Sequence, residues 1–303
     1  VTVSSFGAPV VATFGETSPD APLVVLLHGR GSNEQDILAL APHLPGGVAY
    51  AAVRAPISEG GGYAWFANRG IGRPVAESLA DTMAWFRAWL DDIAPAWRPV
   101  VVVGFSGGGA FAGGLVLDDP ARFAGAAVLF ATLPFEAGVL VEPSRLAHLP
   151  VFVAQGDQDQ VIPRELLDRT WTYLHEASGA PVVGRRSPGG HGITAPILAD
   201  LAGWVHERLT YVARQDVPVP GAPTHADWPT IDGGALPRRG GQSMGSRRPA
   251  ALMPDSDGCA EPGRPTRQLL TSARSPRTVR PVPRSGAKAK GKLRIGRFPS
   301  SDV

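Results

Sequence analysis

Four consecutive valines, Val100 to Val103, run directly into Gly104-Phe105-Ser106-Gly107-Gly108. A strand with no polar face must be covered on both sides, which places it inside a parallel sheet. The G-x-S-x-G that follows is the pattern of a sharp strand-to-helix turn. Residues two positions either side of the serine crowd one another in such a turn, so Gly104 and Gly108 are needed there. The serine backbone is strained and its hydroxyl stands at the sheet edge. The following helix N-terminus brings backbone N–H groups beside it.

The flanking sequence supports the same architecture. Short β-branched runs at Leu23–Leu27, Val48–Val53, Ala126–Phe130, Val151–Ala154 and Val182–Arg185 read as further strands. Between them, helical spacing runs from Asn33 to Leu44, Arg73 to Ala94, Gly108 to Leu117, Pro163 to Ala177 and Thr194 to Leu209. Gly60 to Gly72 reads as a loop rich in glycine and aromatics. Alternating β and α units predict an α/β fold, a mostly parallel sheet with helices on both faces. Right-handed crossovers place the strand C-terminal ends on one edge, where open α/β sheets hold their sites.

This pattern stops near Thr210. Residues 1–210 carry 13 arginines, no lysine and 20 acidic residues, a formal charge of −7. Residues 211–303 carry 16 basic and 7 acidic residues, a charge of +9, with 13 prolines and 11 glycines. The expected organisation is therefore an acidic globular domain over 1–210 and a basic, disordered tail over 211–303. The basicity lies outside the part that folds, so no specific nucleic-acid partner is expected, and the Lys288 to Arg297 run reads as a solvated basic segment. The single cysteine, Cys259, excludes an internal disulfide framework and a cysteine-rich zinc site. No apolar run reaches the roughly 20 residues of a membrane helix. The first residues lack the basic and apolar regions of a signal peptide, so a cytoplasmic protein is expected.

A reactive serine needs a base, and the base an orienting acid. The order along a chain with this turn is serine, acid, histidine. His191 lies in the flexible Pro188-Gly189-Gly190-His191-Gly192 loop after the last strand, whereas His175 and His206 fall inside helices. The acid comes from Gln155-Gly156-Asp157-Gln158-Asp159, after the preceding strand. Asp157 suits an Asx-type turn with its own loop, which leaves Asp159 for the imidazole. Two backbone amides complete an oxyanion hole, that of Gly107 and that of Arg30 in His28-Gly29-Arg30-Gly31. His28 precedes the serine and is given a structural role.

LLHGRGSNEQD, RAP…YAWF, GFSGG, QGDQDQVIP and GGHG occur in this order across residues 26 to 192. Together they resemble the phospholipase/carboxylesterase family of α/β-hydrolases, which includes small bacterial carboxylesterases and acyl-protein thioesterases and is related to dienelactone hydrolases. The resemblance implies an α/β-hydrolase fold without a large cap domain, and Ser106, Asp159 and His191 as the catalytic triad. It implies the Arg30 and Gly107 amides as the oxyanion hole, and no metal or cofactor. Trp65 and Phe66 fall in its aromatic stretch, where they line an acyl pocket or pack in the core. The expected activity is hydrolysis of a small-molecule acyl ester, thioester or lysophospholipid through an acyl-enzyme. The alternatives are a lactone or peptide hydrolase and a silent binding protein. Ser106 in place of cysteine argues against a dienelactone hydrolase.

Overall fold

The computed structural model describes residues 6–215, with side chains over 6–210. The expectations for the basic tail, its lysines and Cys259 lie outside the described residues.

In chain order the elements are β1 (Val11–Gly15), β2 (Leu23–Leu27), α1 (Glu34–Leu38), β3 (Ala49–Val53), β4 (Ile57–Glu59), β5 (Gly62–Ala64), α2 (Ala76–Ile93), β6 (Val100–Phe105), α3 (Gly107–Asp118), β7 (Gly125–Leu129), β8 (Val151–Gly156), α4 (Arg164–Thr172), β9 (Val182–Ser187) and α5 (Ala195–Gln215). Seven strands form one sheet in the order β1-β3-β2-β6-β7-β8-β9. All neighbouring pairs are parallel except the antiparallel β1–β3 pair at one edge. The four-valine strand β6 is central and fully buried, as its lack of a polar face requires.

Alternate residues of each strand feed two separate cores. Leu23, Val25, Val100 and Val102 pack with Leu79, Phe86 and Leu90 of α2 and Phe111 and Leu115 of α3. Val24, Leu26, Val101 and Val103 pack on the other face with Ile37 of α1 and with Ile197, Leu201 and Trp204 of α5. The helices thus lie on both faces, because side chains alternate along each buried strand. No described helix is long and apolar enough to cross a membrane.

The structure departs from the sequence expectations at identifiable places. The helix expected over Asn33 to Leu44 is α1 followed by a separate 3₁₀ turn, Ala41–His43. Pro42 lacks the N–H that would continue the α-helical ladder. Asn33 caps α1, its Oδ1 accepting the Gln35 and Asp36 N–H groups at 2.9 and 3.0 Å. Helix α2 starts at Ala76 rather than Arg73, since Pro74 biases its predecessor away from helix. The expected loop Gly60 to Gly72 contains strand β5, which pairs with β4 as a hairpin. The edge strand β1 was not anticipated. Helix α5 continues to Gln215, beyond the expected end at Leu209.

Candidate active site

Strand β6 ends at Phe105 and α3 begins at Gly107, so Ser106 alone makes the turn. Its backbone sits at φ 54°, ψ −118°, a strained conformation for a residue with a side chain. Bonds on both sides hold it there: the Ser106 N–H donates to the Leu129 carbonyl at 2.8 Å, and its carbonyl accepts the Ala110 N–H at 3.0 Å. A Cβ on Gly104 would collide with the Gly108 carbonyl, and one on Gly108 with the carbonyls of Leu27 and His28. Both glycines of the pattern are therefore required by close backbone approach.

Three loops converge on Ser106. Its Oγ lies 2.9 Å from His191 Nε2, and His191 Nδ1 lies 2.8 Å from Asp159 Oδ2. The imidazole is nearly buried and the Asp159 side chain wholly so. The rings of Phe105 and Phe130 flank His191, with centroids 5.2 and 6.1 Å away. The second oxygen of Asp159 accepts the Val161 and Ile162 N–H groups at 2.8 and 3.0 Å. Burial pushes the Asp159 carboxyl upward. The hydrogen bonds from His191 and from the Ile162 and Val161 amides outweigh it and hold the group below its usual range.

The Asx-type turn expected of Asp157 is therefore made by Asp159. The Asp157 side chain is half exposed, 3.7 Å from Arg164, because only its backbone N–H turns inward, to the Ser187 carbonyl. Gly156 permits the meeting of the Asp159 and His191 loops, since a Cβ there would strike the Gly189 and Gly190 carbonyls.

The Arg30 amide lies beside this group: an added Cβ on Gly107 would stand 3.2 Å from the Arg30 nitrogen. Among the described residues neither the Arg30 nor the Gly107 N–H has a backbone partner. The Arg30 loop is strapped from outside. Its Gly31 N–H donates to the Tyr63 carbonyl at 2.8 Å, and the Tyr63 N–H to the Ser32 carbonyl at 3.0 Å. The Arg30 side chain pairs with Glu59 of β4 at 2.7 Å. Behind it Arg54 grips buried Glu34 through two bonds of 2.7 and 2.5 Å, with its guanidinium 4.7 Å from the Tyr63 ring centre. The Arg54 hydrogen bond holds the Glu34 carboxyl below its usual range.

A cleft of about 160 Å³ opens beside Ser106 and Gly107. Trp65, Phe66 and Leu133 line it from buried positions, together with Val161 and Ile162 from the loop after β8. Asn68, Ile71 and Gly72 form its outer wall, where Ile71 is 44% exposed. Trp65 and Phe66 are thus both packed in the interior and part of the cleft wall. Trp65 stacks on Phe111 with centroids 4.5 Å apart and donates from Nε1 to the His28 carbonyl at 2.8 Å. Leu133, Val161, Ile162 and Ile71 were not anticipated as site residues; Val161 and Ile162 lie at the end of the QGDQDQVIP segment, and Leu133 and Ile71 belong to no motif. Their one legible signal is position, just beyond the C-terminal ends of β7 and β8 or within the glycine-rich loop.

The sequence profile of the phospholipase/carboxylesterase family matches residues 9–204, which takes in the whole sheet and all three converging loops. The chain belongs to the phospholipase/carboxylesterase family. A curated relative, "Putative hydrolase MhqD" of Bacillus subtilis (strain 168), is 26% identical over 191 residues, covering 62% of this chain and 94% of that protein. Among solved structures, the Bacillus cereus carboxylesterase superposes with a TM-score of 0.59 at 22% identity, covering 66% of this chain and 94% of that one. Zea mays acyl-protein thioesterase 2 superposes with a TM-score of 0.55 at 21% identity, covering 66% and 99%. These likenesses establish the α/β-hydrolase fold, and no large cap interrupts it among the described residues. As a member of this family the chain is a hydrolase of the carboxylesterase type.

An imidazole bonded on one side to a hydroxyl and on the other to a buried carboxylate can take the hydroxyl proton and be stabilised as it becomes charged. Two amides beside the hydroxyl with no partner among the described residues can hold a negative oxygen.

Proposed function

We propose that the chain is a serine carboxylesterase that cleaves small acyl esters through an acyl-enzyme on Ser106. The observation that carries this reading is the continuous Ser106–His191–Asp159 hydrogen-bond chain at 2.9 and 2.8 Å. In the first step His191 Nε2 takes the Ser106 proton as Oγ attacks the acyl carbonyl. The amides of Arg30 and Gly107 hold the resulting oxyanion, each such donor contributing about 2.7–4 kcal/mol to the transition state. His191 then protonates the departing alcohol, and the carbonyl re-forms as an ester of Ser106. Water, deprotonated by His191, attacks this ester, and the acid leaves as the proton returns to Ser106. Asp159 keeps the proton on Nδ1 in the resting state and stabilises the imidazolium.

The small cleft, walled by buried Leu133 and Ile162, favours short acyl groups over long ones. Thioesters fit the same chemistry, since the thiol leaves more readily than an alcohol. Hydrolysis of p-nitrophenyl esters of graded chain length tests the proposal, with Ser106→Ala beside the wild type. The expected result is activity strongest on short chains, lost in the variant, together with fluorophosphonate labelling of Ser106 in the wild type alone. Full activity in Ser106→Ala overturns the assignment.

A further inference from the structure

Residues 1–210 contain thirteen arginines. Among the described residues, eleven have side chains bonded or paired to a carboxylate or a backbone carbonyl. Arg69 and Arg73 have no such partner among them. Both are exposed, and both belong to the loop 68–74 that supplies Asn68, Ile71 and Gly72 to the cleft wall.

The backbone of this loop folds back on itself. The Arg69 N–H donates to the Arg73 carbonyl at 3.0 Å, the Val75 N–H to the Ala67 carbonyl at 2.8 Å, and Asn68 bridges to Pro74. Arg69 and Arg73 therefore stand opposite each other, one step either side of the Gly70-Ile71-Gly72 tip. Like charges facing across paired segments repel. Nothing among the described residues neutralises the pair, in a segment where acids outnumber bases by 20 to 13. An otherwise acidic domain repels anions, so a local cationic pair on the loop that walls the cleft marks where one would be accepted, although neither arginine itself lines the cleft.

We infer that Arg69 and Arg73 recognise an anionic substituent, a carboxylate or a phosphate, on the leaving group of the ester. This rests on the esterase reading above. With the acyl group on Ser106 beside buried Trp65 and Leu133, the departing alcohol is assigned to the exposed side of the cleft, where Ile71 lies. A group meeting this loop tip therefore belongs to the alcohol. Guanidinium forks match carboxylate and phosphate oxygens in geometry as well as charge. The contact lies away from the scissile bond, so it acts mainly on substrate binding.

Three acetyl esters test this on the full chain: methyl 4-acetoxybenzoate, 4-acetoxybenzoate and 4-acetoxyphenyl phosphate. Each kcat/KM is divided by that ester's uncatalysed hydrolysis rate. The expected result is a preference of about tenfold or more for at least one anionic ester over the neutral one, shrinking at high salt. Which anion is preferred identifies the substituent. The R69Q/R73Q variant should lose the preference through KM, with the neutral ester unaffected. R69K/R73K should keep part of it. R87Q/R185Q, which removes two charges outside the cleft lining, should keep all of it. A wild type that cleaves the neutral ester without preferring either anion overturns the inference, as does a preference that survives in R69Q/R73Q. It is equally overturned if R69Q/R73Q loses only binding to phosphatidylglycerol vesicles, which would make the loop a membrane contact. Failure of the esterase reading is distinct: no hydrolysis of the neutral ester and no fluorophosphonate label on Ser106.

Discussion

The Nδ1–H of His28 donates to the carbonyl oxygen of Gly29 at 2.8 Å and, with the Ser32 N–H at 3.1 Å, fixes the peptide that carries the Arg30 amide. The tautomer follows from the other ring nitrogen: Nε2 accepts the Ala55 N–H at 3.0 Å, so the proton resides on Nδ1. A trans peptide points its C=O and N–H in opposite directions. Anchoring the Gly29 carbonyl therefore turns the Arg30 N–H away from His28. Burial pushes the His28 pKa down, which keeps the ring neutral and the donor–acceptor pattern intact.

His28→Ala should reduce kcat by about 10²-fold with little change in KM, since losing one oxyanion donor costs about 10²–10³ in kcat. The rate is to be expressed per active site titrated with a fluorophosphonate. A purely structural role would lower the folded fraction and leave that normalised kcat unchanged.

The two aspartates of the Asp157–Asp159 loop should separate sharply. Asp159→Asn alters the group that holds both His191 and the Val161 and Ile162 amides. It should lower kcat by about 10³- to 10⁴-fold, the scale of misplacing the imidazole tautomer. Asp157→Asn touches only an exposed pairing with Arg164, so its kcat should stay near wild type. Steady-state kinetics of the two variants side by side decides this.

Stability should fall on acidification in two stages. The folded-state pKa of His28 lies below the usual value of about 6.5, so the unfolded chain takes up this proton first. Its contribution is fully present above about pH 6.5 and is lost as the pH drops through the lowered folded value. Glu34 and Asp159 are also lowered. Their contributions persist above the ordinary carboxylate range, near pH 4, and vanish as the pH falls through their folded values. Urea unfolding at stepped pH measures the slope. His28→Gln should remove the upper stage alone, and an unchanged upper stage would refute its assignment to His28.

Shortening Ile162 should lengthen the preferred acyl chain. Its side chain is nearly buried and lines the cleft, while its amide bond to Asp159 does not depend on the side chain. Ile162→Ala should move the optimum of a p-nitrophenyl ester series to longer acids, at a stability cost of about 2–5 kcal/mol. An unchanged chain-length profile would place the acyl group elsewhere.

The features missed from sequence share one cause. Strand β1 buries only Ala12 well, and Phe14 is 46% exposed, so its apolar pattern does not alternate cleanly. Strands β4 and β5 have three residues each, too few to show a period. Asp159 is the aspartate expected to meet the imidazole, but the Asx-type turn expected of Asp157 is also made by Asp159; the two look alike locally and follow the same glycine. A contact with His191, 32 residues further on, separates them.

The central buried strand, the glycines around Ser106, the helices between strands and the order of serine, acid and histidine are legible in the chain alone. These are local properties, set by side-chain period and turn chemistry over a few residues. That Ser106 and His191, 85 positions apart, meet at 2.9 Å follows from the fold. The fold likewise brings the β4–β5 hairpin against the Arg30 loop and sets Arg69 opposite Arg73 without a counter-charge among the described residues. Such pairings depend on strand order and backbone close approach, which no short window of sequence contains.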